Sequence, residues 1–185
     1  MVRLLGISGS LRRGSYNSAL LRAATRLMPT EATLETASIR GIPLFDGDVE
    51  AQGLPAAVSQ LKEAVVAAAG VLLVTPEYNN SIPGVFKNTI DWLSRPNSDI
   101  RRVFGGKPFA LIGASPGPYG TNLAQAAWLP VLRTLGAQVW SGGRLQVARA
   151  ATVFDEAGNL KDADIEERLR QFLAGYAAFV QHCAA

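Results

Sequence analysis

A chain of 185 residues that is 48% hydrophobic is long enough for one domain with a substantial core and too short for two. Its formal net charge of +3 is scattered without basic runs, which argues against a nucleic-acid binder and suits small anionic ligands. A single cysteine rules out an internal disulfide framework, no apolar stretch approaches the roughly 18 residues of a membrane span, and the opening Met-Val-Arg-Leu-Leu-Gly has no signal-peptide pattern, so a cytoplasmic protein is expected.

Leu4, Leu5 and Ile7 open a first strand. From Tyr16 to Leu27 the apolar residues Leu20, Leu21, Ala24 and Leu27 recur at helical spacing until Pro29. A second strand fits residues 33 to 39, followed by a turn-rich segment, residues 41 to 48, and a helix from about Pro55 with Val58, Leu61 and Val65 on one face. Val71-Leu72-Leu73-Val74 is short, continuous and apolar, as a strand buried on both faces should be. Pro83 can begin a helix without losing a hydrogen bond, and Phe86, Ile90 and Leu93 mark its buried stripe. Phe109 to Gly113 reads as a fourth strand, Leu123 to Leu135 as a helix kinked or restarted at Pro130, and residues 138 to 147 as a fifth strand. Ile165, Leu169, Phe172, Leu173, Tyr176 and Val180 define the last helix. Five strands alternating with five helices imply an α/β fold of one domain, residues 1–185. Its parallel sheet, in the flavodoxin-like order 2-1-3-4-5, carries helices on both faces in three layers.

The loop Gly6-Ile7-Ser8-Gly9-Ser10-Leu11-Arg12-Arg13-Gly14-Ser15-Tyr16-Asn17 joins the first strand to the first helix and reads as a phosphate cradle. A strand running through such a loop into a helix aims backbone N–H groups and the positive end of the helix dipole at one spot. Ser10, Ser15 and Asn17 add neutral donors and Arg12 a charged fork. Glycines 6, 9 and 14 do not make the dinucleotide G-x-G-x-x-G, and Glu35 is a weak candidate for a ribose ligand. Ser15 stands where a Walker loop needs lysine, and Cys183 has no arginine after it as a cysteine phosphatase requires. A monophosphate remains.

In a sheet of this order ligands bind beyond the carboxyl ends of the strands, between the first and third. Three loops leave that edge: Ser8 to Asn17, Thr75 to Gly84, and Ala114 to Thr121, all rich in glycine, proline, small polar residues and tyrosine. The middle loop offers backbone amides, the carboxamides of Asn79 and Asn80, and Tyr78, a set suited to the edge of a planar heterocycle. Glu77 is a base without a visible partner, or a group that fixes backbone near a helix. His182, the only histidine, reads as a solvated terminal residue. Neither a hydrolytic triad nor a metal cluster is expected, so a bound cofactor should carry the chemistry.

These residues resemble the flavodoxin-like NAD(P)H-dependent FMN reductases, which include bacterial quinone, chromate and azo-compound reductases. The resemblance rests on Gly9-Ser10-Leu11-Arg12 with Ser15 and Asn17, on Pro76-Glu77-Tyr78-Asn79-Asn80-Ser81-Ile82-Pro83-Gly84 with Lys87-Asn88 and Asp91-Trp92, and on Ser115, Gly117 and Gly120. It implies that Ser10, Arg12, Ser15 and Asn17, with Tyr16 beside them, hold the FMN phosphate. It also implies that Pro76, Glu77, Tyr78, Asn79, Asn80, Ser115, Pro116 and Gly117 flank the flavin. Hydride would pass from NADPH or NADH to FMN and on to a small acceptor in a ping-pong cycle, with no protein residue as catalyst. Arg101, Arg102 and Lys107 are candidates for the dinucleotide phosphates. The family implies a homodimer or homotetramer, for which Trp92 and Phe86 either supply an aromatic anchor or simply face the sheet. Phe86 and Thr89 depart from the leucine and alanine expected in close relatives, and Pro118-Tyr119 is individual to this chain, which leaves the acceptor open. A flavodoxin-type electron carrier is the main alternative, although the partners of such carriers usually demand an acidic face and this chain is slightly basic. A phosphosugar- or nucleotide-binding module without redox chemistry is the third.

Overall fold

The computed structural model describes residues 1–184. Its strands are β1 (Val2–Ser8), β2 (Ala32–Ala37), β3 (Gly70–Val74), β4 (Pro108–Ala114), β5 (Gln138–Val139) and β6 (Leu145–Val147). All pair in parallel, in the order β2-β1-β3-β4-β5 with β6 also on β4, which is the flavodoxin-like arrangement expected. The α-helices are α1 (Tyr16–Arg26), α2 (Gly47–Ala51), α3 (Ala56–Ala67), α4 (Gly84–Leu93), α5 (Ile100–Phe104), α6 (Asn122–Thr134), α7 (Ala150–Val153) and α8 (Ala163–Ala184). α2, α5 and α7 were not expected: at four or five residues they are too short for a 3.6-residue period to show.

The sheet divides two apolar clusters. α1 and α8 cover one face through Leu20, Ala24, Leu169, Leu173 and Tyr176, while α3, α4, α5 and α6 cover the other through Leu61, Val65, Ile90, Phe104 and Leu132. Every residue of β3 is buried, as its unbroken apolar run requires. Each fully buried Leu, Ile or Val contributes about 1.5–3 kcal/mol. The Tyr176 hydroxyl lies 3.0 Å from the carbonyls of both Val71 and Pro108 and so ties α8 to β3 and β4.

The single strand expected over 138–147 is two. β5 pairs with Pro108 and Phe109, and β6 resumes beside Ile112 to Ala114. Between them the chain leaves the sheet because the Trp140 ring packs edge-on against Phe172, centroids 4.8 Å apart, and tilts over Tyr176. A Cβ at Gly142 or Gly143 would come within 2.6 or 2.8 Å of that indole, so glycine permits the excursion. At Pro130 the expected restart does not occur, and α6 runs through it. The carbonyl that loses its donor belongs to Ala126, which is exposed to water.

Trp92 and Phe86 are both fully buried, so neither is an aromatic anchor for a second subunit. The Trp92 indole donates to the Pro43 carbonyl at 2.9 Å, and Asn88 holds the same strap by donating to Pro43 O and accepting from Phe45 N–H, each at 2.8 Å. Half of the Lys87-Asn88-x-x-Asp91-Trp92 pattern thus fastens the segment after β2 to α4; the Lys87–Asp91 ion pair, at 2.6 Å, completes it along the helix.

Candidate cofactor site

Beyond the carboxyl ends of β1, β3 and β4 the three loops line one cleft. The first loop is pressed against the core at its start. Gly9 donates to the Val74 carbonyl at 2.9 Å, and a Cβ there would lie 2.1 Å from the Phe86 ring, so only glycine allows the loop to sit this low. Ser15 caps α1: its Oγ accepts from Ser18 N–H at 3.2 Å, which leaves the hydroxyl proton free to donate. Among the described residues the N–H groups of Ser10, Leu11, Arg13, Gly14, Ser15, Tyr16 and Asn17 have no protein acceptor, and the guanidinium of Arg12 is in no ion pair. That donor set, at the amino end of an 11-residue helix, is matched to a phosphate dianion.

Asn17 also has a structural duty. Its Nδ2 donates to Ala114 O at 2.8 Å and its Oδ1 accepts from Ala114 N–H at 2.9 Å, a buried two-point clamp between α1 and the end of β4. One amide proton remains for a ligand.

The second loop contains a two-residue hairpin. Tyr78 and Ser81 exchange backbone hydrogen bonds at 3.1 Å in both directions, with Asn79 and Asn80 between them at φ 51° and 62°. These left-handed angles are those of a type I′ turn, for which asparagine is among the preferred residues. Both asparagines are exposed and outside the cleft lining. Glu77 turns to the protein: its carboxylate accepts from Ala124 N–H at 2.9 Å, capping the amino end of α6, where Thr121 provides no side-chain cap. The backbone-fixing alternative for Glu77 is therefore the one observed. In the third loop Gly117 N–H donates to Ser115 Oγ at 3.0 Å, while Arg149 and Ala150, just after β6, donate to the carbonyls of Gly117 and Ser115.

The cleft thus brings together Ser10, Arg12, Ser15, Tyr16, Asn17, Pro76, Glu77, Tyr78, Ser115 and Pro116 from three separate loops. It leaves out Asn79, Asn80 and Gly117 and adds Gly14 and Ala114, which lack functional side chains and gave no sequence signal beyond their place in the loops. Arg101, Arg102 and Lys107 are elsewhere. They precede β4, at the amino ends of the strands, opposite the cleft. Arg102 is committed to Glu63 and Asp99 at 2.9 and 3.2 Å, and Lys107 donates to the carbonyls of Val66 and Ala68 at the end of α3. Burial holds the Lys107 ammonium below the usual lysine range.

The sequence profile of the NADPH-dependent FMN reductases matches residues 2–152. The chain belongs to this family. An NAD(P)H-dependent FMN reductase of Pseudomonas aeruginosa is 43% identical over 180 residues, covering 97% of this chain and 96% of that one. A 2-hydroxy-1,4-benzoquinone reductase from a Burkholderia species is 36% identical over 180 residues, with 97% of each chain covered. Among solved structures, the NAD(P)H:acceptor oxidoreductase FerB of Paracoccus denitrificans superposes with a TM-score of 0.88 at 30% identity, over 98% of both chains. The cofactor in the name of this family, FMN, carries a single phosphate.

Proposed function

We propose that this protein binds FMN in the three-loop cleft and passes a hydride from NADPH or NADH to quinones, with chromate or other metal ions, azo compounds and free flavin as further acceptors. The observation that carries the reading is the set of N–H groups between Ser10 and Asn17 that, Arg12 aside, have no protein acceptor among the described residues, with the Arg12 guanidinium, in no ion pair among them, beside it. Ser10, Arg12, Ser15 and the amino end of α1 would hold the phosphate. Pro76, Glu77, Tyr78, Ser115 and Pro116 would line the ring, with Asn79, Asn80 and Gly117 behind them. When bound, FMN supplies the centre that accepts and returns the hydride. The protein binds and orients, and no side chain in the cleft needs to move a proton. A cleft open on one side admits reductant and acceptor in turn, which is the basis of a ping-pong order. The exposed Leu44, Val85, Tyr119, Leu123 and Leu129 support assembly as a homodimer or homotetramer.

An anaerobic absorbance spectrum of the FMN-loaded protein tests the reading. The flavin band should bleach on addition of NADPH or NADH and return on addition of a quinone. A bound flavin that stays oxidised with both dinucleotides would identify an electron carrier instead, and a protein that retains no flavin would overturn the cofactor assignment.

A further inference from the structure

Under the floor of the cleft lies a directed chain of hydrogen bonds that phosphate binding and ring stacking leave unused. The Trp128 indole N–H donates to Thr75 Oγ1 at 3.1 Å, and the Thr75 hydroxyl donates to the Pro76 carbonyl at 2.8 Å. Trp128 and Thr75 are each 0% exposed, so no water competes. The direction is forced: an indole nitrogen only donates and a carbonyl only accepts, so the hydroxyl must do both.

The consequence is geometric. With its oxygen held toward buried Thr75, the trans peptide joining Pro76 to Glu77 presents its N–H on the opposite side. That side is the cleft, which Pro76 and Glu77 both line, and the Glu77 N–H has no protein acceptor among the described residues. Two further contacts lock the arrangement. The Glu77 carboxylate is tied to Ala124, and the Trp128 indole packs edge-on with Phe86, centroids 5.1 Å apart, while Gly9 is pressed on the same Phe86 ring. Bonds in such a chain polarise one another, so the donor at its end is stronger than an isolated amide.

We propose that Trp128 and Thr75 are positioning residues that aim and polarise the Glu77 N–H as a donor to the ring of the cofactor, and so raise its reduction potential. The proposal rests on the FMN reading above. A donor facing a ring that gains negative charge on reduction holds the reduced form more tightly than the oxidised one.

The test compares Trp128→Phe, which keeps an aromatic ring but deletes the indole N–H, with Thr75→Val and Thr75→Ser, each checked for folding by thermal melting. The first readout, the amide proton resonance of Glu77 in cofactor-free protein, should move in Trp128→Phe and Thr75→Val and stay near wild type in Thr75→Ser. The second is the midpoint potential of bound FMN. Both disrupting variants should lose about tenfold in affinity for reduced over oxidised FMN, a fall of roughly 30 mV for a two-electron couple, and Thr75→Ser should restore it. Folded Trp128→Phe protein in which neither readout moves would overturn the proposal, and if Thr75→Val fails to fold, Trp128→Phe decides alone. Should wild-type protein bind no FMN, the functional reading falls, and with it the effect on potential, while the amide resonance still reports whether the chain polarises Glu77.

Discussion

Two charged side chains line the cleft: Glu77 is tied to Ala124 N–H, whereas Arg12 makes no ion pair among the described residues and is left to meet a ligand. Arg12→Ala should therefore leave the melting temperature unchanged and weaken FMN binding by about 10- to 150-fold, the equivalent of roughly 1.5–3 kcal/mol for one charge-assisted bond. Fluorescence titration with FMN measures it, and unchanged affinity would remove Arg12 from the site. Gly9 is the opposite kind of residue, with a structural effect that is felt in the site. The Cβ of Gly9→Ala would meet the Phe86 ring at 2.1 Å, and relieving that clash should cost about 1–3 kcal/mol of stability in urea unfolding. Asn80 separates a turn role from a ligand role. Because it sits at φ 62° in a type I′ turn, Asn80→Gly should hold or raise stability, by up to about 1 kcal/mol, with FMN affinity within about twofold of wild type. A larger loss of affinity would make its carboxamide a ligand.

At the scale of elements, the cleft depends on how α1 is joined to β4. Asn17 makes that joint with both ends of its carboxamide on Ala114. Asn17→Ala leaves a buried N–H and C=O unpaired, at about 1–3 kcal/mol for each group. Denaturant midpoints should fall accordingly, and FMN affinity should drop further than removal of one neutral phosphate donor explains, because the cradle itself loosens. A second joint links α3 to the turn between α4 and α5. Buried Lys62 reaches the Arg95 carbonyl and the Asp99 carboxylate, which also meets Arg102. The bond from Lys62, then that from Arg102, holds the Asp99 carboxyl below its usual range. A carboxylate whose folded value is depressed adds stability above its unfolded value, about pH 4, and loses it as pH falls through the folded value. Urea midpoints compared at pH 6 and pH 3 should therefore fall less in Asp99→Asn than in wild type. An equal fall in both would show that the pair contributes nothing to acid sensitivity.

For the whole molecule, two apolar clusters on either side of one sheet account for the stability, and the cleft occupies the edge where strand ends leave backbone groups unpaired. Leu44 and Tyr119, in the segments that follow β2 and β4, are 81% and 80% exposed, and a second copy of the chain would cover them. Light scattering at micromolar concentration should give the mass of two or four chains. A monomer would disprove the oligomer and leave the cleft, which one chain builds from its own loops, as the complete site.

The chain's own order of letters determined the fold and the class of ligand. Apolar runs such as Val71–Val74 and the stripe from Ile165 to Val180 are local patterns whose period dictates strand or helix, and a loop of glycine, hydroxyls and arginine before a helix reads as an anion site wherever it occurs. Tertiary structure alone decided which polar residues were spent inside the protein. Glu77 was drawn to a helix 47 positions away, Asn17 to a strand 97 positions away, and Lys107 to carbonyls about 40 positions before it, while Asn79 and Asn80 went to a turn whose angles no composition displays. The split of β5 from β6 followed from Trp140 packing on a helix more than 30 residues later. Local periodicity is written in neighbouring residues, whereas the partner of a polar side chain depends on contacts made only when distant segments meet.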